Sequence, residues 1–148
     1  MESKGQAAME FLMTYGWAIL AAIIAIGVLA YFGVFSPGKY TPSATVVNPP
    51  FYATGATVSE LNGISVELRN NGGEDLTVTS MNIVGCGTSD ALLTWAITAG
   101  SSAVVPVDCA PALVSGDNFK GDATITYTKS GSSLSLQSTG TIAQKVTA

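Results

Sequence analysis

The chain of 148 residues carries 6 Lys and Arg against 10 Asp and Glu, a formal net charge of −4, has no histidine, and is 47% hydrophobic. That balance speaks against non-specific nucleic-acid binding, and the basic residues Arg69, Lys120, Lys129 and Lys145 form no cluster interleaved with aromatics. Without histidine the chain lacks the commonest general base and the commonest metal ligand. No glycine-rich phosphate loop or nucleophile elbow stands in for it, so no catalysis, metal or other cofactor is expected.

The first element is an apolar helix. From residue 11 to residue 35 there is no Asp, Glu, Lys or Arg, a run longer than the roughly 20 residues that cross a bilayer. An ordinary secretory signal has a basic start, a core of about 7–15 residues and a small-residue cleavage site. This core is longer, Glu2 cancels Lys4, and no Ala-x-Ala site bounds it. A plain membrane anchor accounts for the length, for a stop at Pro37-Gly38 and for the aromatics Tyr31, Phe32 and Phe35 near one end. It does not account for Glu10, a carboxylate at the mouth of the apolar run, since ionisable groups at membrane depth are costly and usually have a function or a partner. Small residues from Gly16 to Gly33 occur on several faces and allow close helix–helix approach.

The stretch Lys4-Gly5-Gln6-Ala7-Ala8-Met9-Glu10-Phe11 resembles the class III signal peptide and mature start of archaeal type IV pilins, and the likeness extends over residues 1–38. The resemblance implies that a prepilin peptidase cuts between Gly5 and Gln6 on the cytoplasmic side and leaves the helix attached. It implies that Gln6 and Glu10, the Gln-x-x-x-Glu pattern, serve assembly of a helical homo-oligomeric filament. An assembly ATPase and a platform protein are the further partners implied, the membrane holds the precursor, and adhesion is the usual role. A subunit of the rotary archaeal filament, the archaellin, is the alternative within the same plan. A monomeric membrane-anchored envelope protein is the alternative outside it.

Lys4 before the span and Lys39 after it leave the positive-inside rule undecided, so the topology with the N-terminus inside comes from the resemblance. Cys86 and Cys109, the only two cysteines, both follow the span and read as a disulfide outside the cytosol. Pro37, Gly38, Pro42, Pro49 and Pro50 prevent the helix from continuing, so 37–50 reads as a linker with room for a first strand at 44–48.

Residues 51–148 suffice for one compact domain, and their pattern is β. Segment 64–69 alternates apolar and polar residues, Asn70-Asn71-Gly72-Gly73 supplies a turn, and 76–84 alternates again, which reads as a hairpin or a neighbouring strand pair. Further strands are expected at 92–97, 102–107, 122–129 and 133–146, the last broken near Gly140. The expected organisation is a leader at 1–5, a hydrophobic helix at 6–36, a linker at 37–50 and an extracellular domain at 51–148. The fold class is α+β: a long transmembrane or filament-core helix followed by an all-β sandwich, immunoglobulin-like in the broad sense. The acidic residues are scattered, and Asp117, Asn118 and Asp122 read as solvated turn residues rather than a calcium site.

Overall fold

The computed structural model describes residues 2–36 and 42–148, and the chain divides into two compact units, one N-terminal up to Tyr40 and one from Thr41 to Ala148. The first is built on α1 (Glu2–Tyr31), an uninterrupted α-helix of 30 residues and about 45 Å long at 1.5 Å per residue. Ala, Leu, Met and Ile dominate it and favour the helix, and a helix satisfies its own backbone groups, as a bilayer requires. It begins at Glu2 and so runs through the residues read as the leader. It closes at Tyr31, short of the expected 36, because Gly33 takes a left-handed φ of 72°. Gly33 N–H then donates to Ala30 O at 3.0 Å and Val34 N–H to Leu29 O at 3.1 Å, the paired bonds of a glycine-terminated helix end. The expected stop at Pro37-Gly38 lies outside the described residues.

The second unit holds β1 (Ala44–Val47), β2 (Phe51–Ser59), β3 (Gly63–Asn70), β4 (Leu76–Ile83), β5 (Gly87–Thr88), β6 (Trp95–Ile97), β7 (Ser102–Val107), β8 (Asn118–Lys129) and β9 (Ser135–Lys145). One antiparallel sheet runs β1-β9-β8-β4, with both β5 and β6 pairing to the far edge of β4; the other runs β2-β3-β7. Period-2 alternation gives each sheet one apolar face. Val66, Leu68 and Val105 from the smaller sheet share one buried cluster with Val78, Met81, Ile125 and Ile142 from the larger. The outer face of the larger sheet is a ladder of hydroxyls and amides, with Thr124 opposite Thr139, Thr126 opposite Gln137, and Thr77 opposite Thr128. This is the α+β layout expected, with a two-sheet β-domain.

Three strand-level expectations need correction. First, β3 and β4 are neither a hairpin nor neighbours, because they belong to different sheets. The intervening turn is an arch tied by Asn70, which is fully buried and donates through Nδ2 to Glu74 O at 2.8 Å and Ile97 O at 2.9 Å. Its Oδ1 accepts from Gly72 N–H at 2.9 Å. Second, β9 passes unbroken through Gly140, which marks a close approach instead: a Cβ there would run into the Val46 carbonyl oxygen of β1. Third, 92–94 are not strand, since Asp90 Oδ1 accepts from Leu92 N–H at 2.9 Å and holds a turn. Two strands were not anticipated: the two-residue β5, too short to show a period, and β2, whose register slips between Ala53 and Gly55 and spoils its alternation.

Both ends of the β-domain are defined by hydrogen bonds between loops. The chain enters beside Ala143, the partner of Ala44, at the end that also holds the C-terminal segment, where Gly116 N–H donates to Val146 O at 2.9 Å. At the opposite end Asn71 N–H donates to Pro50 O at 3.0 Å, Gly100 N–H to Asn70 O at 2.9 Å and Ser130 N–H to Asp75 O at 3.0 Å.

Candidate functional site

Gly5, Gln6 and Glu10 all lie on α1, and the helical repeat puts Gln6 and Glu10 on one face a turn apart. Both are exposed, and nothing stands within 4 Å of where a Gly5 Cβ would be. Glu10 makes no ion pair among the described residues, where the single one joins Lys129 to Glu74. The reason is local: the helix offers Ala7 and Gln6 at the positions three and four residues before Glu10, and Lys4 is further back and off that face. Among the described residues, then, no cation is ion-paired with this carboxylate.

Beyond Glu10 the apolar side chains of α1 are exposed all round, Trp17 at 72% and Leu20 at 60% among them. By length and composition this helix is able to cross a membrane. At Gly16 and Gly27 nothing stands within 4 Å of where a Cβ would be, so the backbone there is open to close approach, and the rings of Phe11 and Tyr15, one turn apart, meet at a 41° tilt with centroids at 4.9 Å.

Cys86 and Cys109 form a disulfide, as expected. It joins the turn after β4 in the larger sheet to the residue pair after β7 in the smaller, so it ties the two layers at the end where the chain enters. Ala110 N–H donates to Cys86 O at 2.9 Å beside it, and Cys86 is buried.

The scattered carboxylates have structural work. Asp75 Oδ1 accepts from Ala99 N–H at 2.9 Å, Glu67 Oε1 from Ser102 Oγ at 2.8 Å, and Asp122 Oδ1 from Thr141 Oγ1 at 3.2 Å. Among the described residues no three His, Cys, Asp or Glu gather in a way that would hold a metal ion. The structure thus sets Gln6 and Glu10 one helical turn apart and bonds Cys86 to Cys109. Two polar residues escaped sequence reasoning: Asn70, hidden in what read as an ordinary turn, and Tyr127, which sits in a strand with nothing to distinguish it. Neither a protein-family model nor a curated protein matches the chain.

Proposed function

We propose that the chain is the structural subunit of an archaeal type IV pilus-like filament, cut between Gly5 and Gln6 and polymerised through α1, with adhesion as its role. The observation that supports this reading is the placement of Glu10 one turn from Gln6 on a helix whose apolar surface is uncovered. Cleavage would give Gln6 an α-amine that is mostly protonated at neutral pH. At about 4 Å, with an effective dielectric near 20, its attraction to Glu10 is worth roughly 4 kcal/mol before desolvation. The pair can close within one subunit or between neighbours, and the second arrangement would set axial register. Self-association that does not close on itself yields a filament. The apolar helix would sit in the membrane before assembly and in the filament core afterwards.

The test is the intact mass and N-terminal sequence of the protein sheared from native cells. A start at Gln6, free or cyclised, is expected; Met1 retained, or a start beyond Phe35, would refute the reading in favour of an anchored or secreted domain. Glu10→Ala should then abolish filaments while leaving the β-domain at the cell surface.

A further inference from the structure

At the end of the β-domain opposite the point where the chain enters, an open depression of about 410 Å³ is lined by loop residues, by the first residue of β4 and by the end of β8. That volume lies at the lower end of the range for small-molecule sites, roughly 300–1,000 Å³. Pro50 supplies apolar surface, Leu76 lies buried in the core at the floor, and two glycines keep the hollow open. A Cβ on Gly72 would stand 3.7 Å from the Pro50 ring and 3.2 Å from Asn70 Oδ1, while Gly73 has nothing within 4 Å. Backbone is therefore presented where side chains would otherwise fill the space.

Three polar side chains meet there. Lys129 Nζ and Glu74 Oε2 form an ion pair at 3.3 Å with both groups largely in solvent. Tyr127 also lines the hollow, though it is only 7% exposed and its ring packs edge-on against Phe51 with centroids 5.0 Å apart. Its hydroxyl bonds to none of the described residues, yet no buried side-chain oxygen or nitrogen among them lacks a partner. The hydroxyl must therefore reach the surface, and the surface Tyr127 lines is this depression. A nearly buried tyrosine held rigidly by its ring, with its hydroxyl uncommitted, is a preorganised donor and acceptor.

We propose that this depression binds the non-reducing end of a neutral glycan. The charge pattern selects the class: a simple anion meets Glu74 and a simple cation meets Lys129, whereas an uncharged polyol uses both. The carboxylate accepts from one sugar hydroxyl and the ammonium donates to its neighbour, charge-assisted bonds on groups already adjacent. Tyr127 Oη takes a third hydroxyl, and Pro50 covers part of the C–H face of the ring. The site lies within the β-domain and depends on the filament reading only for its setting. Glu10→Ala tests polymerisation and leaves this site intact, so the two readings fail separately.

The experiment uses the isotopically labelled full chain in micelles of a detergent without sugar headgroups. Methyl glycosides of glucose, mannose, galactose and N-acetylglucosamine are titrated to about 50 mM, above the millimolar Kd expected of a few hydrogen bonds. At least one should shift the amides of Gly72, Gly73 and Lys129 saturably. Tyr127→Phe and Glu74→Gln should each weaken that binding about tenfold or more with the remaining spectrum unchanged. Absence of saturable shifts at these amides overturns the proposal. So does a response to glycine betaine in place of the glycosides, which would assign a zwitterion, or a response only to free reducing sugars, which would assign a small metabolite rather than a glycan end.

Discussion

Asn70→Ala is the substitution that most directly tests how the two sheets are joined. The side chain is fully buried and makes three bonds, to Glu74 O, Ile97 O and Gly72 N–H, all between 2.8 and 2.9 Å. Each is worth about 1 kcal/mol net, and a buried partner left unsatisfied adds about 1–3 kcal/mol. The expected loss is about 3–5 kcal/mol, a large part of the roughly 5–15 kcal/mol that holds an ordinary domain folded. For a domain of this size that corresponds to a fall in Tm of about 15 °C or more. Asn70→Asp should be no milder, because it keeps the acceptor for Gly72 but loses both donors and buries a charge. Unfolding is followed by Trp95 fluorescence in a Trp17→Phe background, since these are the two tryptophans and Trp17 lies on the helix. Exposed Asn71→Ala next door, which contributes only its backbone N–H to Pro50, serves as the control and should stay within about 0.5 kcal/mol. A loss below about 1 kcal/mol for Asn70→Ala would refute the view that this side chain ties the arch.

Replacing Cys86 and Cys109 together by Ala should lower stability by about 3 kcal/mol, because the disulfide closes a loop across a separation of 23 residues; denaturant titration of the oxidised parent and the variant measures it. Gly140→Ala should cost about 1–3 kcal/mol through overpacking and loosen β1 selectively, seen as faster hydrogen exchange at Val46 and Val47 than in the core of β8. Glu74→Gln should change stability by less than about 1 kcal/mol, since its partner and itself are 49% and 65% exposed in the pair, so a larger loss in thermal melts would give the ion pair a structural role it is not expected to have.

The apolar helix was legible because its signal is compositional: a long run without charges can be read without knowing what surrounds it. Glu10 stood out for the same reason, as the exception at the edge of that run, and helical spacing alone relates it to Gln6. With two cysteines only one pairing exists, so the disulfide needed no topology. Segments 64–69 and 76–84 alternated cleanly and lie on strands β3 and β4, but alternation reports that a residue faces a core and not which sheet carries it. The turn residues at 70–73 suit a hairpin and an arch equally, and the choice fell to Asn70, whose partner Ile97 is 27 residues away. Gly140 read as a break because glycine weakens isolated strands, whereas the approach of β1 makes it necessary. Strand β2 was hidden by its bulge. The depression around Tyr127 draws residues from the 49–50 turn, the arch, β4 and β8, and no local window contains it. By itself, then, the sequence determined the helix, its carboxylate, the disulfide and the β character of the rest, since each depends on neighbours along the chain. Sheet membership, the inter-sheet arch and the glycan-sized hollow were decided only by tertiary structure, since each depends on which distant backbone groups and side chains packing brings within hydrogen-bonding reach.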